Sequence, residues 1–353
     1  MSENKLKTAV LGLEEGGQLL LKAASGADYF QLLAVADKDS TLAKKTATEY
    51  NCTAYDDYRQ LVIQNQLDCL LVAAGIYSCD EHIKTAMKRK FNILKLAPPA
   101  RNFEEAVEFA RLAEDENIKF AIANPARYAK SHLALSRFLQ QGQTEQISLI
   151  SAFCSIGAEK TGSWQNDPKL AGGGVLLRNC YQIIDQIVCN FGTPEQVFSL
   201  NTSTAGDKQQ RLYLTEDIAI VTMKFSDTSF GSLTAGRGFG PKQQFLKIYG
   251  KEKILTVTDT QFVVSNTLGQ VIEDFQYNDD RLCGYTALLE NFALSILQPD
   301  KNKLCSSARE NLKTMAVIES AYLSARTGMP ELPRKIPQMA QAEPINIWQD
   351  HKQ

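Results

Sequence analysis

The sequence predicts a two-domain α/β protein, in which a doubly wound parallel sheet precedes a domain built on a large, mainly antiparallel sheet flanked by helices. Between residues 7 and 123, short apolar runs alternate with stretches of helical periodicity, a pattern typical of a parallel sheet covered on both faces. From residue 147 to residue 265, strand-like runs follow one another across short polar turns, which indicates an antiparallel sheet. We therefore place the domains at residues 1–124 and 125–335, with an extended tail at 336–353.

The alternation in the first half resolves into strands and helices of ordinary length. We expect the strands at residues 7–13, 30–36, 67–74, 91–96 and 119–123. We expect the helices at residues 17–25, 40–50, 58–64, 80–90 and 102–116. Ser40 is the predicted N-cap of the second helix, and Asn102 with Glu105 three residues later resembles a capping box. The right-handed crossover rule arranges these units as a doubly wound sheet.

The second half of the sequence has a different pattern, in which strands follow one another instead of alternating with helices. A helix is expected at 131–141, and two further helices are expected at 285–297 and 307–326, the last ended by Gly328 and Pro330. The expected strands are 147–155, 196–200, 212–225, 230–235, 245–249, 254–258 and 261–265. An antiparallel sheet of this kind has one face open for packing or oligomerisation.

Composition narrows the class of protein. The chain has 353 residues, 44% of them hydrophobic, and a formal net charge of −2, so no overall basic field would recruit nucleic acid or an anionic membrane. We expect neither a signal peptide nor a membrane span. The eight cysteines are scattered without a CxxC pair, which favours reduced thiols in a cytoplasmic protein. Only three histidines occur, and none has zinc spacing, so we expect no metal site.

The first strand ends in a glycine-rich turn. A dinucleotide site needs one glycine for a tight turn, one for close approach to the pyrophosphate and one for helix packing. The GxGxxG positions hold Gly12, Glu14 and Gly17, with Gly16 as an extra. Glu14 crowds and repels a pyrophosphate, and Glu15 adds a second negative charge. The alternative interpretation is that these glycines only shape a turn.

An acidic residue follows the second strand. Asp37 lies 20 residues after Gly17 (37 − 17), where a carboxylate would bind the ribose hydroxyls of a dinucleotide. Asp37 therefore favours NAD over NADP, although Lys38 beside it would partly offset a 2′-phosphate.

Several segments together resemble the Gfo/Idh/MocA family, which includes glucose–fructose oxidoreductase and inositol 2-dehydrogenase. The resemblance covers residues 6–333. Its most specific parts are Ala34 to Asp39, Trp164 to Leu177 with Gly172-Gly173-Gly174, Ile248 to Glu252 and Val317 to Pro333. The second of these is similar to a family signature, and the last resembles the family's closing helix.

The resemblance implies a Rossmann domain, a larger α/β domain, and oxidation or reduction of sugars, polyols or similar hydroxylated substrates by NAD(P). It also implies a homo-oligomer formed through the C-terminal sheet. The implied cofactor contacts are Gly12, Leu13, Glu14, Gly16, Gly17, Asp37, Lys38, Ala74, Gly75, Ala97 and Pro98. The implied substrate cleft comprises Arg127, Trp164, Arg178 and Asp185.

The positions that carry catalysis in most members have changed. The lysine of the family's Glu-Lys-Pro motif is Ala97, and the usual Asp and His after the glycine triplet are Arg178 and Gln182. The Asn and His that often follow the third main strand are Ile76 and Cys79. Alcohol oxidation needs a base for the hydroxyl proton, and neither Ala97 nor Gln182 supplies one.

Other residues are candidates for the missing chemistry. Lys95 lies on the same strand face as Ala97, and its alternative role is a structural lysine that reaches solvent or pairs with an acid. Tyr181 adjoins Gln182, but one helical step turns its side chain by about 100°. Arg178 favours an anionic ligand, or else an ion pair with Asp185 or Glu14.

Trp164 and Arg127 complete the set of candidates. Trp164 is either a sugar-stacking wall or a packing residue, and Arg127 with the following tyrosine resembles an Arg-aromatic pair of the family.

Two hypotheses of function follow. The first is a catalytically degenerate protein of this fold that binds a small, anionic ligand or a partner subunit. The second is an active NAD(P)-dependent oxidoreductase with a non-standard acid/base group. A third and weaker hypothesis is a non-redox lyase or hydrolase that uses bound NAD transiently, and the altered glycine turn argues against it as well.

Overall fold

The computed structural model describes residues 5–144, 146–157, 163–205, 214–238, 240–278 and 281–339. They form two compact units, neither of which is continuous in sequence. The first unit contains the described parts of 5–99, 107–128 and 281–309, and the second contains those of 100–106, 129–278 and 310–339. The helix near residue 290 thus belongs to the first unit.

The first unit is built on a six-stranded parallel sheet with the order β3-β2-β1-β4-β5-β6, the order of a doubly wound nucleotide-binding sheet. The strands are β1 Leu6–Leu11, β2 Phe30–Ala36, β3 Thr53–Tyr55, β4 Cys69–Val72, β5 Asn92–Leu96 and β6 Phe120–Ala123. The helices that follow the strands are α1 Glu15–Ser25, α2 Ser40–Tyr50, α3 Tyr58–Gln64, α4 Asp80–Lys88 and α5 Phe103–Asp115. The predicted Rossmann-type fold is confirmed.

The second unit is built on an eight-stranded, mostly antiparallel sheet with the order β14-β13-β12-β11-β7-β10-β9-β8, in which only β7 and β10 pair in parallel. Its strands are β7 Leu149–Ser155, β8 Gln196–Thr202, β9 Ile218–Lys224, β10 Phe230–Gly236, β11 Gln243–Tyr249, β12 Lys253–Val257, β13 Gln261–Asn266 and β14 Val271–Gln276. The remaining helices of the chain are α6 Lys130–Gln140, α7 Pro168–Ala171, α8 Tyr181–Phe191, α9 Arg281–Leu297, α10 Ala308–Thr327 and α11 Ile336–Met339. The predicted architecture of this half is confirmed.

Burial along the strands explains which elements the sequence revealed. The side chains of β4 are all buried, as expected for a central parallel strand. In β9, buried Ala219, Val221 and Met223 alternate with more exposed residues, the period of two typical of a strand with one open face. All six residues of β14 are exposed, so this edge strand carries no burial pattern, and the sequence analysis missed it together with the three-residue β3.

Two local expectations need correction. The N-cap of α2 is Asp39 rather than Ser40, because the Asp39 carboxylate accepts the backbone N–H groups of Thr41 and Leu42 at 2.9 and 3.1 Å. The tail predicted as extended begins instead with the helical turn α11. The rest of that tail lies outside the described residues, as does the start of the strand expected at 212–225.

At the start of α5, half of the predicted capping box is present. The Asn102 side chain accepts the N–H of Glu105 at 2.9 Å. The Glu105 carboxylate does not return to Asn102 but pairs with the Arg101 guanidinium at 2.6 Å. The eight cysteines all lie within the described residues, and none of them forms a disulfide. No helix within the described part of the chain is long and apolar enough to cross a membrane.

Candidate functional site

The turn between β1 and α1 keeps two of the three glycine roles of a dinucleotide site. Gly12 has φ +83°, and a Cβ atom there would lie 2.4 Å from the backbone nitrogen of Ala74. A Cβ atom on Gly17 would lie 2.0 Å from the carbonyl oxygen of Gly12. The first glycine therefore allows the tight turn and the last allows the helix to pack against it.

The middle position of this motif is chemically altered. Glu14 is the N-cap residue of α1 with φ −63°, a conformation open to any residue, and its exposed side chain makes no capping hydrogen bond. Glu15, also exposed, pairs with Arg281. The first N–H groups of a helix lack intrahelical acceptors and favour anions, but here two carboxylates stand beside them. The backbone suits a phosphate group, and the charge opposes one.

Asp37 lies at the carboxyl end of β2, where the sequence analysis placed it. Its Oδ2 atom accepts the N–H of Leu13 at 2.7 Å, and its Oδ1 atom accepts the N–H of Asp39 at 2.9 Å. The carboxylate thus joins the turns after β1 and β2. Each oxygen retains a second lone pair, so this role is compatible with hydrogen bonds from ribose hydroxyls. The ammonium of Lys38 lies 4.9 Å from the ring centre of Tyr77.

The other predicted cofactor residues lie at the carboxyl ends of their strands, the edge where open parallel sheets bind ligands. Ala74 packs on Gly12 and, with Gly75, leads into a 3₁₀ turn at Ile76–Ser78. Ala97 and Pro98 follow β5. A Cβ atom on Gly16 would meet only the flexible end of the Leu96 side chain at 2.4 Å. These contacts with a cofactor stay predictions.

Lys95 lies in the interior of the first unit. Its side chain is only 2% exposed, so it does not reach solvent. Its ammonium donates to the carbonyl oxygens of Pro98 at 2.6 Å and Leu96 at 3.4 Å. The cation therefore folds back on the loop that contains Ala97 and holds that loop from the inside. Ile76 and Cys79 are also buried, and Arg127 is half-buried in a 3₁₀ turn at Pro125–Tyr128.

In the second unit, each glycine of the triplet lies so close to another residue that a side chain would not fit. A Cβ atom on Gly172, which has φ +77°, would lie 2.2 Å from the carbonyl oxygen of Arg101. On Gly173 it would lie 2.1 Å from the hydroxyl of Tyr322, and on Gly174 it would lie 2.0 Å from the carbonyl oxygen of Glu216. The triplet is therefore required by packing, whatever ligand the unit binds.

Two polar residues that the sequence analysis did not select fix this segment. The buried Glu216 carboxylate accepts the N–H of Gly174 at 2.7 Å, the N–H of Leu176 at 2.9 Å and the hydroxyl of Tyr322 at 2.8 Å. The Tyr322 oxygen in turn accepts the N–H of Leu177 at 3.2 Å. Burial raises the pKa of Glu216, while the amide and hydroxyl donors act in the opposite sense. The one available signal was an acid immediately before an apolar strand.

Arg178 lies in a π-helical turn at Val175–Asn179 that leads into α8. Such π-helical turns are frequent at functional sites. Its guanidinium donates to the carbonyl oxygen of Gln165 at 3.1 Å and lies 5.6 Å from the ring centre of Trp164. One face of Trp164 is thus used by Arg178, which favours the packing role over an open sugar-stacking wall. Both side chains are half-buried.

Two candidates on α8 are too deeply buried for the roles considered. Tyr181 is 1% exposed, and its hydroxyl donates to Asn311 at 2.7 Å. Asp185 is fully buried and accepts the hydroxyl of Thr314 at 2.9 Å. Both residues tie α8 to α10 in the interior. Gln182 is half-buried at the start of α8, and its amide does not titrate.

For ligand binding, the first unit offers the backbone N–H groups of a glycine turn with two carboxylates beside them, and the second offers the guanidinium of the half-buried Arg178. Among the described residues, no group of three or more His, Cys, Asp or Glu side chains could hold a metal ion.

Comparison with known proteins identifies the family. Residues 6–123 match the NAD-binding Rossmann-fold domain of the Gfo/Idh/MocA oxidoreductases, and residues 140–332 match the C-terminal alpha/beta domain of the same oxidoreductase family. The chain belongs to the Gfo/Idh/MocA family.

Individual relatives are distant. An uncharacterized oxidoreductase of Schizosaccharomyces pombe is 25% identical over 201 residues, which is 54% of each chain. A D-xylose 1-dehydrogenase (NADP(+)) of Haloferax volcanii is 23% identical over 198 residues, 55% of this chain and 60% of the relative. The match therefore spans a little over half the length of these curated relatives.

Solved structures share the fold over nearly the whole chain. An oxidoreductase from Agrobacterium radiobacter, solved with NAD⁺, L-tartaric acid and magnesium, superimposes with a TM-score of 0.80 at 14% identity. That likeness covers 94% of this chain and all of the other.

Proposed function

We propose that this chain is a catalytically degenerate Gfo/Idh/MocA-type protein that binds a small anionic ligand through Arg178. The observation that carries the proposal is the placement of the groups able to move a proton. Lys95, Tyr181 and Asp185 are all buried and hydrogen-bonded within the protein. The positions that the family uses for catalysis hold Ala97 and Gln182, which have no titratable group.

The loss of a general base has a large expected cost. Such a group contributes roughly 10²–10⁴-fold to the rate, so a site without both the base and its lysine partner retains little of the usual hydride transfer. Arg178 supports ligand binding, because a guanidinium pairs with carboxylates and phosphates in a planar, bidentate manner. The ligand is then retained rather than turned over.

The test is a calorimetric titration with L-tartrate, the hydroxylated dicarboxylate present in the A. radiobacter structure. We expect the wild type to bind it and Arg178→Gln to bind at least tenfold more weakly. Arg326→Gln, an equal charge change at an exposed arginine of α10, is the matched control and should bind like the wild type. The same mixture with NAD⁺ or NADP⁺ should produce no NADH or NADPH.

Two results would contradict the proposal. Equal binding by the wild type and Arg178→Gln would remove Arg178 from the site. Steady production of reduced cofactor from any polyol, sugar or hydroxy acid would show an active oxidoreductase instead.

That second candidate is favoured by one observation, the intact backbone of the Gly12–Gly17 turn. Titration with NAD⁺, NADH, NADP⁺ and NADPH tests whether a dinucleotide still binds, and Asp37 favours the two forms without a 2′-phosphate. Glu14→Gly should strengthen dinucleotide binding about fivefold, because a like charge about 4 Å away costs about 1 kcal/mol even in bulk water. An unchanged affinity would show that Glu14 does not oppose the pyrophosphate.

We also propose that the protein forms a homo-oligomer through the second unit's sheet. The support is a set of exposed apolar side chains on β7, β8, β9 and β10, namely Leu149, Leu200, Ile220 and Phe230. Light scattering should show a dimer or larger species that Ile220→Glu with Phe230→Glu converts to monomer. A monomeric wild type at micromolar concentration would overturn this.

A further inference from the structure

A buried carboxylate accepts hydrogen bonds from the segment that presents Arg178. Glu216 receives three hydrogen bonds from three different residues, two of which are backbone amides of residues 174 and 176. Its own carbonyl oxygen also accepts the N–H of Val175 at 3.0 Å. The first half of the π-helical turn is therefore attached to one side chain and one peptide group of the same residue.

Tyr322 extends this attachment by one residue. Its hydroxyl donates to Glu216 and accepts the N–H of Leu177, the residue before Arg178. The absence of a side chain on Gly173 lets the phenol approach closely, since a Cβ atom there would lie 2.1 Å from the hydroxyl oxygen. The N–H groups of 174, 176 and 177 are thus satisfied by Glu216 and Tyr322 together.

The side chain of Arg178 is tied to the same region from the other side. Its guanidinium donates to the Gln165 carbonyl oxygen, which also accepts the hydroxyl of Thr215 at 2.9 Å. Thr215 directly precedes Glu216, so one short segment supports both the backbone and the side chain of the Arg178 turn. At the end of the turn, the Arg237 guanidinium contacts the Asn179 side chain at 3.4 Å.

We propose that Glu216, acting with Tyr322, is the positioning residue of the Arg178 site, and that the site so held receives an oxyanion, either a carboxylate or a phosphate group. The inference rests on the proposed function of Arg178. It also explains why the carboxylate of Glu216 is buried beside the glycine triplet. Three donors converge on two carboxylate oxygens, and a neutral amide in that place has only one acceptor oxygen.

Positioning matters for anion recognition because a guanidinium binds an oxyanion through two parallel hydrogen bonds whose geometry is strict. The hydrogen bond to the Gln165 carbonyl oxygen and the contact with the Trp164 ring together restrain the plane of the Arg178 guanidinium, and the π-helical turn fixes its origin. If Glu216 loses its charge, the turn loosens and the plane is no longer held, although every atom of Arg178 remains present.

The experiment follows Trp164 and the binding of two probes. The chain contains two tryptophans, so a Trp348→Phe background leaves Trp164 as the only one. In that background, Glu216→Gln and Tyr322→Phe are compared with Thr314→Val, which removes a buried hydrogen bond from the same helix as Tyr322. Acrylamide quenching reports the exposure of Trp164 without any ligand. Titration with L-tartrate and with inorganic phosphate reports oxyanion binding and distinguishes the two sources.

We expect Glu216→Gln and Tyr322→Phe to increase quenching of Trp164 and to weaken probe binding about tenfold. Thr314→Val should lower stability and leave both readings unchanged. Tyr322→Phe keeps its ring against Gly173, so it serves if Glu216→Gln does not fold. If Trp164 is quenched equally in Glu216→Gln, Tyr322→Phe and Thr314→Val, the inference is overturned. If quenching increases but the affinity for both probes is unchanged, the assignment of oxyanion binding to the positioned Arg178 is overturned.

The two proposals fail separately. If the parent protein binds neither probe, the proposed function fails, and the quenching comparison still decides whether Glu216 positions the turn. If the parent binds a probe and the variants bind it equally well, only the positioning role fails.

Discussion

The glycine turn of the first unit and the glycine triplet of the second meet the same steric requirement in different surroundings. A Cβ atom on Gly17 or on Gly174 would lie 2.0 Å from a backbone carbonyl oxygen. Around the first turn the polar side chains Glu14 and Glu15 are exposed, whereas the triplet lies against the buried Glu216 and the half-buried Tyr322. Folding therefore preserves the glycines in both places, and only in the second does it also preserve polar side chains.

This difference separates positions that folding constrains from positions that folding leaves open. A glycine that faces the chain's own backbone is required for folding. An exposed side chain at the same turn can be replaced at little cost to stability. Glu14 is a side chain of that second kind, so a signature based on glycines alone reports the fold more securely than the activity.

The strongest test of the comparison replaces the two matched glycines. Gly17→Ala and Gly174→Ala should each lower the free energy of unfolding by about 3 kcal/mol or more, because the backbone itself would have to move. Denaturant unfolding measures the loss. Gly142→Ala, at φ +67° with no atom within 4 Å, is the control and should cost only about 1–2 kcal/mol. Equal costs in all three variants would show that close approach is not the constraint.

Acid should lower the stability of the second unit through His132, and this effect should be smaller than that of the glycine substitutions. His132 is buried, its Nδ1 atom has no hydrogen-bond partner, and burial lowers its pKa to about 4. The unfolded chain protonates this residue near pH 6.5, so the stability it contributes is present above that pH. It falls as the pH drops toward 4, by at most about 1.4 kcal/mol per pH unit. Asp259, Gln244 and Thr258 line the same small cavity.

His132→Leu should therefore flatten the loss of stability between about pH 7 and about pH 5, measured by denaturant midpoints at each pH. The half-buried His82, whose pKa burial also lowers, provides a control, and His82→Gln should change the slope less. A slope that His132→Leu leaves unaltered would contradict a buried, neutral His132.

The smallest expected effect concerns Tyr181. Tyr181→Phe removes the hydroxyl bonded to Asn311 and should cost about 1 kcal/mol, the usual net value of such a hydrogen bond. Calorimetric binding of L-tartrate should stay at the wild-type affinity, because the phenol is buried away from any ligand. A loss of binding larger than the loss of stability would return Tyr181 to the candidate site.

Periodicity was sufficient to predict most of the fold. The alternation of apolar runs in the first half predicts β1, β2, β4, β5 and β6 close to their observed bounds, and α3 coincides with its expected range of 58–64. The same reasoning failed at β14, where all six residues are exposed. An edge strand of this kind is stabilised by backbone pairing with β13, and backbone pairing leaves no mark in the sequence.

The candidate site was predictable only in part, because its partners are distant in sequence. Glu216 is 42 positions from the Gly174 amide it accepts, and Tyr322 is 145 positions from Leu177. No local pattern connects such residues. Lys95 shows the same limit, since its place on a strand was predicted but the acceptor of its ammonium, the Pro98 carbonyl oxygen, was not.

By itself, the sequence determined the class of fold, the glycine turns and the residue types at the candidate site, because periodicity, glycine spacing and residue identity are local properties. Only the tertiary structure decided which polar groups are buried. It placed Tyr181 and Asp185 in the interior, left Arg178 half-buried against Trp164, and brought Glu216 to the glycine triplet. Burial depends on contacts between distant segments, and burial determines whether a polar group supports the fold or contacts a ligand.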